Sequence, residues 1–375
     1  MNTPATPDAP RLHWLDDTGR DLYASLDSLV ARGADAELDA HTRDDLACRM
    51  LAWQRGRCTA IDRVIRAFGG GRVITSFDDI PGVPTDVFRA ARVSCFDAAY
   101  AERTFVTSGT TTDARGVHAF ASLALYARAS CVTARRWLLP RARYRFFLLA
   151  PPESRAPQSS LSYMLDRFAE HWDPAAGPSA WFLDGERLDV ARLEATLRTA
   201  CADETPVAIL GATWAFVHAL DLLPAESTFC LPPGSVIMPT GGFKGRSRVI
   251  DPETLFALIC ARFGTSRTQV IQEYGMTELT SQAYEAHSVA NAVGRYHAPP
   301  WMFVRAVDPE TLSPLPDGSV GLLRIVDLLN LGSSIAIQTS DLGRTAGRLF
   351  EVHGRAPGAT PRGCARAIDF ALGRD

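Results

Sequence analysis

The spacing of apolar residues along the chain first predicts a helical section. In DLYASLDSLVARGA (21–34) and TRDDLACRMLAWQRGRCTAIDRVIRAFG (42–69), apolar side chains recur every three or four residues. This spacing is typical of amphipathic helices, and three glycines at 69–71 end the section. We therefore predict an N-terminal helical region over residues 1–80.

After this section, apolar runs of strand length alternate with helical patterns. The strand-like runs include RYRFFLLAPP, PVAILGAT, SVIMPTGG and TQVIQEYG, and helical patterns such as HAFASLALYARASCVTARRWLL and PETLFALICARFG lie between them. This alternation predicts an α/β fold with a helix-covered, mainly parallel sheet over 81–300. The shorter alternating runs MFVRAVD, GLLRIVDLL and SIAIQTSD predict a smaller antiparallel β subdomain within 301–375.

Composition and charge exclude several classes of protein. The 375 residues include 39 basic and 42 acidic side chains, a formal net charge of −3, so we expect no nucleic-acid partner. No apolar run reaches the length of a membrane span, and the first residues lack a signal-peptide pattern. The eight cysteines form no CxxC pair. We therefore expect a cytoplasmic protein with reduced thiols and no membrane span.

Three of the predicted strands lead into polar loops that contain glycine. These loops read TSGTTT (107–112), PTGGFKGR (239–246) and EYGMTE (273–278). Hydroxyls and free backbone N–H groups in such a loop are suited to binding phosphate, and ligands of parallel sheets bind beyond the carboxyl ends of the strands. Taken alone, the first loop is more typical of a Ser/Thr turn that caps the following helix.

The order of these loops, followed by TSD at 339–341, resembles the adenylate-forming superfamily of acyl-CoA synthetases, luciferases and nonribosomal adenylation domains. Within it, PTGGFKGR, YGMTE, HAPPW, SDLGR, HGR and PRGC resemble the LuxE-like acyl-protein synthetases of bacterial bioluminescence operons. The resemblance covers most of the chain and implies the fold of the adenylate-forming N-terminal domain. The chain stops 20 residues after HGR, so we expect the further C-terminal domain of ordinary ligases, and its lysine, to be missing.

The resemblance implies ATP and Mg²⁺ as cofactors. It assigns nucleotide binding to Thr107, Ser108, Gly109, Thr110, Thr111, Tyr274, Gly275, Met276, Thr277, Asp341 and Arg355. In that assignment TSGTTT (107–112), here called the hydroxyl loop, binds the β- and γ-phosphates, Tyr274 packs on adenine, and Thr277 binds the α-phosphate. Glu278 binds Mg²⁺, Asp341 binds the ribose hydroxyls, and Arg355 contacts ribose or phosphate. The alternatives are a core tyrosine at Tyr274 and a turn residue at Asp341.

Lys244 is a further catalytic candidate, because lysine is a compact cation that can approach developing phosphate charge. It lies between glycines in GGFKGR, and it could replace the missing C-terminal lysine. The alternative is a solvated loop lysine.

Cys364 lies in PRGCAR, where the resemblance implies the cysteine that accepts the acyl group. We expect a turn in which the neighbouring arginines lower the pKa of the thiol. The alternative is a small buried residue at the start of the last helix.

The acyl pocket is assigned by position alone. The superfamily lines its carboxylate pocket at ATWAFVHALDLL. The candidates for the acyl pocket are Trp214, Phe216, His218, Gly241 and Gly242. For His218 the alternative is a structural histidine on an amphipathic helix.

These residues predict an enzyme that activates a carboxylic acid, by family default a fatty acid, as acyl-AMP. The acyl group then passes to Cys364 and on to a LuxC-like acyl-CoA reductase or an acyl carrier protein. Two alternatives stay open. The acyl-AMP could react directly with coenzyme A, a carrier protein or an amine, or the chain could be a non-catalytic nucleotide- or acyl-binding partner.

Overall fold

A computed structural model describes most of the chain, namely residues 11–69, 71, 73–107, 115–242, 247–286, 294–356 and 360–374. The chain divides into two compact units. Unit 1 comprises Met1–Val132, Met276–Ala283 and Gly294–Asp375, and unit 2 comprises Thr133–Gly275 and Tyr284–Val293. Each unit is therefore built from more than one segment of the sequence. The predicted division into three consecutive segments stays a prediction.

The helices follow the apolar periodicity closely. Within the described residues they are α1 Asp17–Ala31, α2 Ala40–Gln54, α3 Thr59–Phe68, α4 Val87–Ala90, α5 Ala124–Trp137, α6 Ser160–Trp172, α7 Val190–Cys201, α8 Thr213–Leu222, α9 Pro252–Phe263 and α10 Arg362–Leu372. The predicted helix over 42–69 is interrupted between α2 and α3, because Arg55 is extended and Gly56 has a φ of +77°.

The strands also agree with most predicted runs. In the described part of the chain they are β1 Val83–Pro84, β2 Arg103–Val106, β3 Val117–Phe120, β4 Arg145–Leu149, β5 Leu183–Asp184, β6 Arg187–Leu188, β7 Val207–Ala212, β8 Val236–Thr240, β9 Glu273–Tyr274, β10 Ala283–Glu285, β11 Arg295–His297, β12 Met302–Val307, β13 Gly321–Asp327, β14 Ala336–Ala346 and β15 Leu349–Arg355. Two predictions were wrong in part. The start of the helix predicted at 118–139 is strand β3, which pairs with β2, and the strand predicted at 268–275 is reduced to β9.

Unit 2 contains the parallel sheet. Strand β7 pairs in parallel with β4 on one side and β8 on the other, and β8 pairs in parallel with β9. All six residues of β7 are buried, as expected for a strand covered on both faces. Helices α7, α8 and α9 contribute side chains to the same hydrophobic core as β7. The predicted helix-covered parallel sheet is therefore confirmed.

Unit 1 contains an antiparallel sheet of five strands. The order is β12–β13–β14–β15–β11, with neighbouring strands antiparallel, and β1 pairs in parallel with β14. The ladder between β14 and β15 is irregular at Leu342 and Gly343, where a Cβ on Gly343 would lie 2.1 Å from the Glu351 carbonyl oxygen. This close approach requires glycine. The predicted antiparallel subdomain is thus present.

None of the described helices combines the length and the apolar character needed to cross a lipid bilayer.

A cluster of charges links three strands of unit 1. The Glu351 carboxylate on β15 accepts hydrogen bonds from Arg344 Nε on β14 (2.6 Å) and Arg295 Nε on β11 (2.7 Å). Chiefly because of the hydrogen bond from Arg344, the pKa of Glu351 falls from its ordinary value of 4.5 to about 2. A lowered pKa in the folded state means that the ion pairs stabilise the fold above about pH 4.5 and lose this effect as the pH falls towards 2.

We therefore expect Glu351→Gln to lower the free energy of unfolding at pH 7 by about 1 kcal/mol, since the two guanidinium partners are partly exposed. The difference from the parent protein should shrink as the pH falls from 4.5 towards 2, as measured by urea unfolding at a series of pH values. Glu310→Gln, at an exposed glutamate of the same unit, is the control. A constant difference across this range would contradict the ion-pair interpretation.

Candidate active site

The Glu278 carboxylate is the most unusual ionisable group of the EYGMTE loop. Its residue is 6% exposed and lies in irregular backbone between β9 and β10. Burial raises the pKa of Glu278 to about 7, while its own backbone N–H and the guanidiniums of Arg89 and Arg355 act in the opposite direction. A buried carboxylate with so little compensation is suited to binding a cation.

The stem of the hydroxyl loop lies beside this carboxylate. The Thr107 backbone N–H donates to the Gly116 carbonyl (2.9 Å), and the Gly116 N–H donates to Thr107 Oγ1 (2.8 Å), so the two ends of the loop are held together. A Cβ on Gly116 would lie 3.0 Å from Thr107 Cγ2 and 3.4 Å from Glu278 Oε1. The loop therefore starts next to Glu278. Its predicted phosphate-binding residues Ser108, Gly109, Thr110 and Thr111 lie outside the described residues.

His118 does not stand out in the sequence, but its side chain is hydrogen-bonded to the loop that carries Glu278. Its Nδ1 lies 2.8 Å from the Thr277 carbonyl oxygen, and its ring packs 4.1 Å from that of Phe120. Burial lowers the pKa of His118 to about 4, so the ring is neutral at pH 7. Because a carbonyl oxygen can only accept, Nδ1 must carry the hydrogen. The only signal in the sequence is its position, directly after the hydroxyl loop.

Asp341 and Arg355 lie opposite each other on β14 and β15. The Arg355 Nε is 3.8 Å from Asp341 Oδ1, and the Arg355 side chain is 81% exposed. Arg355 also acts on the pKa of Glu278. Unit 1 therefore brings together five of the predicted residues, which are Thr107, Thr277, Glu278, Asp341 and Arg355. Asp341 lies within a strand and is not the turn residue of the alternative.

Glu278 would be the principal protein ligand of a metal in this unit. Among the described residues, no three His, Cys, Asp or Glu side chains gather where they could hold a metal ion. One buried carboxylate near the predicted phosphate-binding loop fits Mg²⁺, which keeps several waters and takes substrate phosphates as its other ligands. It does not fit a dedicated structural metal site.

Two charged residues near Glu278 were missed by the sequence reasoning. Arg89 of α4 and the preceding Asp86 form an ion pair of 3.4 Å between Nη1 and Oδ1. Arg89 lowers and Asp86 raises the pKa of Glu278. Asp86 also raises the pKa of Cys364, so one carboxylate is within electrostatic reach of both predicted catalytic groups. The segment TDVFR carries no motif that would have linked Asp86 or Arg89 to the site.

The expected environment of Cys364 was wrong. The residue lies in the first turn of α10, is 3% exposed, and packs with Val307, Leu312 and Leu322. Burial raises the pKa of the Cys364 thiol to about 11, whereas a lowered value was expected from the adjacent arginines. The alternative, a small buried residue at the start of the last helix, describes its position.

The residues assigned to the acyl pocket and to adenine lie in unit 2. Trp214 and Phe216 of α8 are buried in the hydrophobic core, at 2% and 0% exposure, and His218 is partly exposed one turn beyond Trp214. Thr213 Oγ1 donates to the Gly241 carbonyl (2.7 Å), which fixes the end of β8. Their roles in substrate binding stay predictions.

The remaining predictions concern five positions, which follow β8 in the sequence or lie at or after the end of β9. Gly242 is exposed, Tyr274 is 9% exposed at the end of β9, and Lys244 lies outside the described residues. Gly275 and Met276 follow Tyr274 where the chain passes from unit 2 to unit 1. The role of each in catalysis or nucleotide binding stays a prediction.

Several solved structures share the fold of this chain. The chain matches 2-hydroxyisobutyryl-CoA ligase bound to 2-HIB-AMP with a TM-score of 0.60 and 14% identity, over 84% of this chain and 67% of that one. An open conformation with 2-HIB-AMP and CoA matches with a TM-score of 0.57 and 14% identity, over 87% and 78%. The chain spans about half (47%) of ATP-bound MatB from Rhodopseudomonas palustris, with a TM-score of 0.48 and 15% identity. The fold is that of the adenylate-forming ligases.

The family assignment is narrower. The profile of the acyl-protein synthetase family, LuxE, matches residues 71–373, and the chain belongs to this family. The long-chain-fatty-acid–luciferin-component ligase of Vibrio harveyi is 24% identical over 301 residues, 78% of this chain and 75% of that protein. The Aliivibrio fischeri protein of the same name is 26% identical over 170 residues, 44% and 43% of the two chains. The predicted fold class, family and ligase class are thus confirmed.

The burial of Cys364 predicts slow alkylation. In the folded protein at pH 8, iodoacetamide should modify Cys364 at least about a hundredfold more slowly than the exposed Cys230, because the reactive thiolate is scarce and enclosed. Peptide mass spectrometry of quenched time points measures both rates. The difference should vanish in urea, and equal rates in the folded protein would contradict the buried position.

Proposed function

We propose that the chain activates a carboxylic acid of the fatty-acid class as an acyl-AMP and then accepts the acyl group on Cys364. The observation that carries the first step is the buried Glu278 carboxylate beside the stem of the hydroxyl loop, within electrostatic reach of the Asp341–Arg355 pair. Membership of the acyl-protein synthetase family supports the substrate class, since its relatives are named as ligases of long-chain fatty acids.

In the first half-reaction, a carboxylate oxygen of the acid attacks the α-phosphorus of ATP. The bond from the α-phosphorus to the bridging oxygen breaks, and pyrophosphate leaves with that oxygen. We assign the ribose hydroxyls to Asp341, the α-phosphate to Thr277, and charge stabilisation at the phosphates to Arg355. Bound Mg²⁺, held by Glu278, would neutralise phosphate charge. Lys244 is proposed to stabilise the leaving pyrophosphate.

In the second half-reaction, the Cys364 thiolate attacks the acyl carbon of the acyl-AMP. The thiol proton has already gone to solvent or a base, and the bond from that carbon to the phosphate oxygen then breaks, so that AMP leaves. Asp86 is within electrostatic reach of both Cys364 and Glu278, which supports a thiol near the proposed nucleotide site. Because the thiol is buried in an apolar cluster, transfer requires it to leave that cluster and ionise.

The burial of Cys364 favours one second candidate function. Without a change at α10 the thiol cannot reach an acyl-AMP, and the acyl group would then pass directly to coenzyme A, a carrier protein or an amine. If the thioester forms, we propose a LuxC-like reductase or an acyl carrier protein as the next acceptor.

The thioester is tested by incubating the protein with MgATP and a panel of fatty and aromatic acids, then recording its intact mass. We expect an acyl-sized increment that hydroxylamine removes and that Cys364→Ala abolishes, because only a thioester on this residue meets both conditions. Cys230→Ala, at an exposed cysteine, should retain the increment. Pyrophosphate release without a mass increment would support direct transfer. If no acid of the panel gave either pyrophosphate or an increment, that result would contradict adenylation.

The role of Glu278 is tested by Glu278→Gln, which keeps the size of the side chain but removes its charge. We expect acid-dependent pyrophosphate release at a fixed Mg²⁺ concentration to fall by at least about tenfold, with partial recovery at higher Mg²⁺. The exposed Glu310→Gln should behave like the parent. An unchanged rate and Mg²⁺ dependence in Glu278→Gln would remove this carboxylate from the site.

A further inference from the structure

The backbone that carries Thr277 and Glu278 forms a turn, in which the Leu279 N–H donates to the Met276 carbonyl (3.1 Å), and it takes further hydrogen-bond partners from side chains. Residues 275–282 lie between β9 and β10, outside any helix or strand. Buried backbone groups in irregular structure must find side-chain or water partners. Here the partners include three buried side chains of unit 1, namely His118, Asp327 and Asn330.

Asn330 is bonded to the loop at two points. Its Nδ2 donates to the Glu278 carbonyl (3.0 Å) and to the Ser334 carbonyl (2.9 Å), and its Oδ1 accepts from the Thr280 hydroxyl (2.6 Å). The residue is 1% exposed. Both amide hydrogens and the amide oxygen are therefore used, so the side chain has a single orientation.

Asp327 holds the next two residues of the same loop. Its Oδ2 accepts from the backbone N–H groups of Thr280 and Ser281, each at 2.9 Å, and its Oδ1 accepts from the Ser281 hydroxyl at 2.7 Å. Oδ1 also accepts from the Leu329 N–H (3.0 Å), which ties the carboxylate to its own turn. The side chain is fully buried.

We propose that Asn330, supported by Asp327, is a positioning residue for the proposed ATP and Mg²⁺ site. Asn330 binds the carbonyl of Glu278 itself, so a shift of this hydrogen bond moves the carboxylate that would hold the metal. Sites of this kind need their groups held to about 0.5 Å. The inference rests on the proposed function, and it assigns Asn330 and Asp327 a role that they exert through their hydrogen bonds to the loop.

Gln54 of α2 provides a matched control. Its Nε2 donates to the carbonyls of Asn330 (2.8 Å) and Leu331 (3.3 Å), and its Oε1 accepts from the Ile335 N–H (3.0 Å). The residue is fully buried and bonds the same turn as Asn330. Among the described residues, its hydrogen bonds do not reach the loop at 275–282.

The test compares Asn330→Asp with Gln54→Glu. In each variant an oxygen takes the place of the side-chain NH₂ group, which donates to two backbone carbonyls in the parent. We expect Asn330→Asp to raise the Mg²⁺ concentration at half-maximal, acid-dependent ATP–pyrophosphate exchange by about ten- to a hundredfold. Gln54→Glu should leave it within about threefold, although both variants should unfold at lower urea. Equal shifts in the two variants, or no shift in Asn330→Asp, would overturn the inference.

A milder pair of variants covers the case in which Asn330→Asp does not fold. Thr280→Val removes the hydroxyl bonded to Asn330, and Thr280→Ser restores it. We expect Thr280→Val to need more Mg²⁺ for half-maximal exchange than the parent, and Thr280→Ser to need about as much as the parent. If Thr280→Val needed no more Mg²⁺ than the parent, the inference would be overturned. A parent protein that shows no exchange and binds no MgATP overturns the proposed function itself, whereas normal exchange in both parent and variants overturns only the positioning role.

Discussion

The arrangement of the candidate site depends on finding hydrogen-bond partners for the amides and carbonyls of a buried, irregular stretch of backbone. The loop between β9 and β10 carries the Glu278 carboxylate, which is nearly excluded from water. Because the loop is neither helix nor strand, its backbone amides and carbonyls join no regular hydrogen-bond ladder and need other partners. The turn that follows β13 supplies their partners through Asp327 and Asn330. The antiparallel sheet of unit 1 therefore acts as the rigid support for the loop, because its strand β13 fixes where that turn begins.

Much of the fold could be predicted from the sequence because its signals are local. The alternation of apolar runs identified β4, β7 and β8 and the helices beside them, and the glycine-bearing loops identified the family. Strand β3 was missed, because its pairing with β2 is a tertiary contact that overrides the helical pattern of HAFASLALYARASC. The same error concealed His118, whose partner Thr277 is 159 residues away in the chain.

Cys364 shows where charge adjacency in sequence is a poor guide. Arg362 and Arg366 flank it in PRGCAR, but both are exposed, whereas Cys364 faces the apolar cluster. On a helix, residues two apart point to different sides, so the guanidiniums do not share the environment of the thiol. Asp327 and Asn330 were missed for another reason. Their partners in the loop at 275–282 lie 46 to 52 residues away, and neither residue belongs to a short motif.

The enclosure of Cys364 also has a consequence for the redox chemistry of the resting protein. Peroxide attacks the thiolate and converts it first to a sulfenic acid, so a neutral, enclosed thiol is a poor target. The exposed Cys230 has no such protection. An oxidising episode would therefore damage the surface of unit 2 before it reached the residue proposed to carry the acyl group, and the capacity for acyl transfer would outlast the first oxidative lesions.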